Sequence, residues 1–328
     1  MKSVRHGSLP SVAIEGDAAS YRAGSVRHGS RPLGAINGDA TSYRASLASG
    51  LERASAFLAE RGVDNPRLDA EVLLADVLGV ERSRLYVDRE RELGDAEWAR
   101  FGERIRRRGG REPLQRIRGK QEFFSREFEV DAPVLIPRAE TETLVDAVLA
   151  RARRIDAPRI LDVGSGSGAI AITLALELPD ARVFATDVSP VAIDVSRANA
   201  RRLAAAVEFR CGDLFAPFAG ELFDLIVSNP PYVPSGEIAA LAPEVRDHEP
   251  RAALDGGADG LEVYRRLAGS VDEALRRDGV VAVEIGFGQR EAVGALFASA
   301  GYRISKTDRD LAGIERVLTI ERKWDGRG

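Results

Sequence analysis

The junction Ile160-Leu161-Asp162-Val163, Gly164-Ser165-Gly166-Ser167-Gly168, then the apolar run Ala169–Leu178, narrows the possible folds more than any other stretch. A short, mostly apolar run stopped by glycines reads as a buried strand, and the longer run behind it as a helix. The glycines permit a tight turn and let backbone N–H groups approach a ligand closely. Gly164, Gly166 and Ala169 also fit the dinucleotide fingerprint, so the loop alone does not choose its ligand. The pattern then repeats. Arg182–Thr186 reads as a strand ending at Asp187, nineteen positions after Gly168. An acidic side chain there is placed to accept from two ribose hydroxyls. A helix carrying Ile193, Val195, Ala198 and Leu203, and a strand at Val207–Arg210, lead to Asp213 and Leu214 at a third strand end. These suit the edge and face of an adenine. Strands alternating with helices specify an α/β fold with a mostly parallel sheet that binds ligands at its carboxyl edge.

A fourth strand, Phe223–Val227, delivers Ser228-Asn229-Pro230-Pro231-Tyr232 to that edge. It stops there because neither proline can donate to a ladder. Asn229 offers a side-chain carbonyl, and Pro230 a backbone carbonyl with no N–H of its own. Two carbonyls side by side can accept both hydrogens of a planar –NH2 group, while Tyr232 supplies a flat face. A plain turn after a strand uses the same residues, so the rest of the chain has to decide. Hydride transfer would call for a catalytic His, Lys or Tyr pair, and His248 is the only histidine in this half. Methyl transfer needs only alignment and electrostatics, which this site offers.

Later runs complete seven strands. Asp259–Leu275 reads as a helix, Val280–Ile285 as a strand and Gln289–Ser299 as a helix. Tyr302–Lys306 and Arg316–Glu321 read as closing strands, the last antiparallel. The polar segment Val245–Leu254 reads as a lid or a surface loop.

Upstream, residues 46–118 read as a small helical bundle with short loops. Leu47, Leu51, Ala54 and Leu58 share one helical face; Leu68, Val72, Ala75 and Leu78 share another, with Gly79 past its end. A short piece follows at Arg84–Val87, and Asp95 is expected to cap a helix closed by Gly109-Gly110. Arg100–Lys120 is strongly basic, either a solvated face or a surface for an acidic partner. Residues 119–136 alternate apolar and polar and read as a hairpin linker, with residues 137–328 as the sheet domain. Residues 1–45 hold a tandem duplication: Ser3–Ala23 and Ser25–Ala45 match with a period of 22. Two units rich in Ser, Gly and Ala cannot bury a core, so this extension is expected to be disordered.

A net charge of −4 gives no global drive toward nucleic acid, and direct nucleic-acid binding is not expected. The single cysteine, Cys211, excludes an internal disulfide and a thiolate zinc site, fits a reducing cytosol, and reads as a small core residue. No metal is expected. There is no long apolar run to span a membrane and no signal-peptide core, so the expected location is cytoplasmic.

Taken together, GREPLQRIRGKQEFF, VLIPRAETETLV, ILDVGSGSGAIAI, SNPPYV, EPRAALDGGADGL and VEIGFGQ, in this order and spacing, resemble the HemK/PrmC family. These are protein-(glutamine-N5) methyltransferases acting on peptide chain release factors. The resemblance runs from about Ser46 to Arg322. It implies a Rossmann-like, S-adenosylmethionine-dependent methyltransferase sheet behind a substrate-recognising bundle. It implies that Gly164, Ser165, Gly166, Ser167 and Gly168 bind the methionine part of S-adenosylmethionine, with Asp162 shaping the loop. Asp187 would bind ribose, and Asp213 and Leu214 would flank adenine. Leu214 stands where the family often has an aromatic residue, which bears on stacking. Asn229 and Pro230 would accept the N–H groups of the glutamine in a Gly-Gly-Gln loop, with Pro231, Tyr232 and Phe123 lining its pocket. Two other substrates compete: a ribosomal protein glutamine, and adenine N6 of DNA, whose amine fits the same cradle. A non-enzymatic binding module would need a damaged site, and the glycine loop, Asp187 and Asn-Pro-Pro-Tyr are all intact.

Overall fold

The computed structural model describes residues 46–323; the duplicated extension and the last five residues lie outside the described residues. Five helices come first: α1 (Leu47–Glu60), α2 (Pro66–Leu78), α3 (Arg84–Val87), α4 (Asp95–Gly109) and α5 (Leu114–Arg118). α1 buries Leu47, Leu51, Ala54 and Leu58, as their spacing requires. α2 turns a different face inward. Ala70, Leu73, Leu74, Ala75 and Val77 are buried, so Ala75 is the one expected residue that is fully inward, while Leu68 is 41% exposed. Apolar residues are spread around the helix between Arg67, Asp69, Glu71 and Asp76, so the pattern alone picks no face. Asp95 is not the cap of α4: it is the first helical residue, and Glu97 Oε2 accepts from the Gly94 N–H at 3.0 Å.

The basic run is largely consumed inside the fold. Arg108 is buried and donates to Asp69 (2.7 Å) and to Glu244 (3.0 Å). Arg111 donates to the other Glu244 oxygen at 2.8 Å. Arg104 pairs with Asp76, Arg107 with Glu112, and Arg116 binds the Val130, Ala132 and Val134 carbonyls. Buried guanidinium groups persist because each is paired.

The hairpin β1 (Lys120–Phe123) and β2 (Arg126–Glu129) turns through Phe124 and Ser125. Both have positive φ (51° and 58°), the conformation of a two-residue hairpin turn. Glu142, at the start of α6 (Glu142–Ala152), accepts the Phe124 N–H at 2.7 Å and so fixes the turn against the sheet domain.

There follow β3 (Arg159–Val163), α7 (Ala169–Glu177), β4 (Arg182–Asp187), α8 (Pro190–Leu203), β5 (Val207–Cys211), β6 (Phe223–Ser228), α9 (Pro243–Arg246), α10 (Glu262–Ser270), β7 (Leu275–Glu284), α11 (Arg290–Ser299), β8 (Tyr302–Arg309) and β9 (Glu315–Arg322). They form a seven-stranded sheet in the order β5-β4-β3-β6-β7-β9-β8, parallel except for β9. Strand order reverses between β3 and β6, and Val163 sits opposite Ser228 there. That switch point opens the crevice where such sheets bind ligands. Successive β3 residues face opposite layers: Ile160 belongs to the core cluster that holds Leu144 and Ile172, and Leu161 to the one that holds Tyr264 and Phe297.

Two further expectations need correcting. The helix placed at Asp259–Leu275 is shorter, because Leu275 already belongs to β7 and pairs with Phe223. Cys211 is exposed, since β5 is the sheet's edge strand and its inward residue is Phe209. No helix among the described residues is long and apolar enough to cross a membrane.

Candidate active site

A cleft of about 680 Å³ opens over the carboxyl ends of β3, β4, β5 and β6. Gly164, Ser165, Gly166, Ser167, Asp187, Asp213, Leu214, Asn229, Pro230, Pro231 and Phe123 all line it. Asp162, Gly168 and Tyr232 are not among its lining residues.

On one side the chain folds back on itself. The Gly164 and Ser165 N–H groups donate to the Thr186 carbonyl at 2.8 and 2.9 Å. Gly166 N–H donates to Asp187 Oδ2, and Ser189 N–H to Asp187 Oδ1, both at 2.9 Å. The loop therefore fixes the aspartate, and the aspartate fixes the loop. A Cβ at Gly164 or Gly166 would meet no protein atom within 4 Å, so their bare backbone is open to whatever occupies the cleft. Gly168 is different: a Cβ there would come within 2.8 Å of Ile172 and 3.1 Å of Ser196. Asn199 of α8 joins the hairpin to this loop, accepting from Glu129 N–H (2.8 Å) and donating to the Ser167 carbonyl (3.0 Å).

Asp162 is wholly buried. One oxygen accepts the Ala171 N–H of α7 at 3.2 Å, and the other has no partner among the described residues. Burial, reinforced by the nearby Asp187 charge and opposed by the Ala171 N–H, pushes its pKa up to about 7. Asp213 is exposed at the rim and pairs with Arg266 of α10.

The opposite side is held by side chains from distant parts of the chain. Asn229 Nδ2 donates to Thr141 Oγ1 at 3.2 Å. A side-chain amide that donates on one side presents its carbonyl on the other. Tyr232 OH reaches Glu284 Oε1 at 3.4 Å, and burial together with that carboxylate pushes the phenol pKa up to about 12. Gln289 donates to the Tyr232 carbonyl at 3.0 Å and accepts the Gly286 N–H at 2.9 Å. Gly260 packs so closely that a Cβ would overlap the Tyr232 carbonyl. The polar segment after Val245 forms a third wall. Pro250, Ala252 and Ala253 line the cleft, and buried Glu249 pairs with Arg138.

Thr141, Glu284 and Gln289 were not singled out from sequence. Glu284 left a readable trace: a lone carboxylate at the end of the apolar run Val280–Val283.

The sheet order, the glycine loop tied to a strand-end aspartate, and the Asn-Pro-Pro-Tyr wall define an S-adenosylmethionine-dependent methyltransferase of the Rossmann-like class. Residues 139–246 match the methyltransferase small domain, and residues 50–119 match the PrmC N-terminal domain. The release factor glutamine methyltransferase of Geobacter sulfurreducens is 46% identical over 268 residues, covering 82% of this chain and 94% of the relative. That of Moorella thermoacetica is 45% identical over 281 residues, covering 85% and 99%. That of Koribacter versatilis is 43% identical over 274 residues, covering 83% and 97%. The chain belongs to the release factor glutamine methyltransferase family.

Proposed function

We propose that this protein transfers a methyl group from S-adenosylmethionine to the side-chain amide nitrogen of the glutamine in the Gly-Gly-Gln motif of peptide chain release factors, in the cytoplasm. The observation that carries the reading is the Asn229 amide, whose Nδ2 is engaged by Thr141. Its Oδ1 and the Pro230 carbonyl would then accept the two hydrogens of a substrate amide.

The cleft suits the donor. Four carboxylates (Asp187, Asp213, Asp255, Glu262) and two guanidinium groups (Arg138, Arg266) line it, a balance that favours a positively charged ligand. Gly164 to Ser167 would hold the methionine part along open backbone, with Gly168 and buried Asp162 supporting that loop from behind. Asp187 would hold the ribose, since a carboxylate that accepts two backbone N–H groups still has lone pairs to offer. Asp213 and Leu214 would flank the adenine. When bound, S-adenosylmethionine supplies an electrophilic methyl group on a positively charged sulfur.

The chain's own work is alignment. An amide nitrogen is a poor nucleophile because its lone pair is delocalised. Asn229 and Pro230 carbonyls polarise its N–H bonds and set its direction, and Pro231, Tyr232 and Phe123 shape the pocket around it. Holding two reactants in line is worth about 7–11 kcal/mol. Fixed carbonyl dipoles favour positive charge developing on nitrogen, and the proton leaves to solvent.

The test is competition. The protein is incubated with labelled S-adenosylmethionine and, in parallel, an unmethylated release factor, ribosomal proteins and DNA. Label on the release factor alone supports the reading; label on either of the others with none on the release factor overturns it. The internal pairing of Arg104, Arg108 and Arg116 argues against DNA, which would need such cations free for phosphates.

A further inference from the structure

Among the described residues, the two most exposed large apolar side chains are Leu311, which is fully exposed, and Phe287, which is 85% exposed. Phe287 follows the end of β7, and Leu311 lies in the turn between β8 and β9. β9 runs antiparallel to β7, so its start lies beside the carboxyl end of β7, on the edge where the cleft opens. Single exposed apolar residues are ordinary. These two differ in how they are held.

One buried polar network fixes both turns. Asp310 is buried, and its Oδ1 accepts the Ala312 and Ile314 N–H groups, each at 3.0 Å, closing the turn that carries Leu311. Its Oδ2 accepts from Arg316 Nε at 3.1 Å and Nη2 at 3.0 Å. The remaining nitrogen of Arg316 donates to the Ile285 carbonyl at 3.2 Å, two residues before Phe287. Phe287 itself sits in the turn Gly286–Gln289, where the Gln289 N–H donates to the Gly286 carbonyl at 3.2 Å. The Gln289 side chain ties that turn to the Tyr232 carbonyl, so Phe287 is continuous with the Asn-Pro-Pro-Tyr wall. The charges nearby are already paired: Arg309 meets Glu315 at 2.9 Å, and Arg290 lies 3.9 Å from the same carboxylate.

We propose that Phe287 and Leu311 form a docking ledge for the protein substrate, receiving an apolar patch of the release factor beside its Gly-Gly-Gln loop. The inference deepens the proposed function and rests on it for the identity of the partner. The two glycines before the target glutamine offer no side chains to grip and cost entropy to order. Affinity for the whole protein therefore comes from surface outside the cleft. Side chains on rigid turns suit that task, because little freedom is lost when they bind. An exposed aromatic and a leucine, bordered by charges that satisfy one another, match the apolar centre and polar rim of a protein–protein contact. Paired charges leave little to attract an acidic or basic partner, so the ledge fits an apolar one.

The experiment compares wild type with Phe287→Ser, Leu311→Ser and the double variant. Methyl transfer at saturating donor is measured on an intact unmethylated release factor and on a short peptide carrying its Gly-Gly-Gln glutamine. Binding of the intact factor to the protein saturated with S-adenosylhomocysteine is measured by calorimetry. The double variant raises KM and Kd for the intact factor at least tenfold, and each single variant raises them less. Its kcat, donor affinity, melting temperature and peptide kinetics match wild type, and Phe287→Leu recovers most of the loss from Phe287→Ser. Unchanged KM and Kd for the intact factor overturn the ledge and leave the function reading standing. A peptide KM that rises in step with that of the intact factor also overturns it, because the effect would then lie in the cleft. If the peptide is not turned over, Kd for the intact factor decides. A wild type that binds the factor through these residues but methylates neither substrate defeats the function reading and keeps the ledge. A wild type that binds no release factor overturns the ledge.

Discussion

On the β3–β4 side of the cleft, the wall is made of backbone. Gly164, Ser165 and Gly166 are tied to Thr186 and Asp187, at most 22 positions along the chain. On the β6–β7 side, the wall is held by side chains that meet across the fold: Asn229 with Thr141 over 88 positions, and behind them Gln289 with Tyr232 over 57 and Tyr232 with Glu284 over 52. The first wall needs glycines and one carboxylate at a strand end, and little else. The second needs several elements to arrive in register before any one of its residues has a function. A donor common to many methyltransferases suits the first construction, and recognition of one particular amide suits the second.

The sharpest break between the walls is Asn229→Ala. Removing a group that meets charge only as it develops costs about 10²–10³ in turnover, so kcat falls on that scale while donor affinity, measured by calorimetry, stays near wild type. A parallel loss of affinity would mean that the walls do not divide the work. Asp187→Ala reverses the pattern. It frees the Gly166 and Ser189 N–H groups and removes the group proposed to hold the ribose. Hydrogen bonds to charged groups are worth about 1.5–3 kcal/mol each, so donor affinity falls at least tenfold, with kcat at saturating donor little changed.

Gly168→Ala and Gly164→Ala separate packing from backbone within the first wall. Both positions have left-handed φ, at +84° and +85°, which costs an alanine about 1–2 kcal/mol. Only Gly168 adds a close contact, with Ile172 and Ser196. Thermal unfolding is expected to show the larger loss for Gly168→Ala. Gly164→Ala should show the larger loss of donor affinity, because its Cβ enters the cleft.

The smallest effect concerns Asp162. Its folded pKa is raised from 3.8 to about 7, so the folded chain keeps a proton that the unfolded chain releases. The stability this contributes is full below about pH 4 and is lost as pH rises through 7. Asp162→Asn still accepts the Ala171 N–H through its carbonyl and carries no charge. Its melting temperature should match wild type at pH 4 and exceed it at pH 8. A lower value at pH 8 would assign the charge itself a role in the loop.

The same contrast explains what the sequence revealed. Strands β3 to β7, the glycine loop, Asp187 and Asn229 were legible because their signals are local: apolar runs, glycines at strand ends, prolines that halt a ladder. The inward face of α2 was not, because Leu68 and Leu73 look equally apolar and only packing distinguishes them. The tasks of Arg108 and Arg116 were not, since a run of arginines reads as surface until Asp69, Glu244 and the Val130 carbonyl are brought to it. Thr141 and Glu284 were hidden for the same reason. Each is an ordinary residue until the fold sets Thr141 against Asn229 and Glu284 against Tyr232.

The measurement that bears most directly on the account is fragment mass spectrometry of an unmethylated release factor after incubation with this protein and S-adenosylmethionine. The account predicts one added methyl group, on the side-chain nitrogen of the Gly-Gly-Gln glutamine, absent when Asn229→Ala replaces wild type. A methyl on any other residue, or an equal yield from Asn229→Ala, would contradict it.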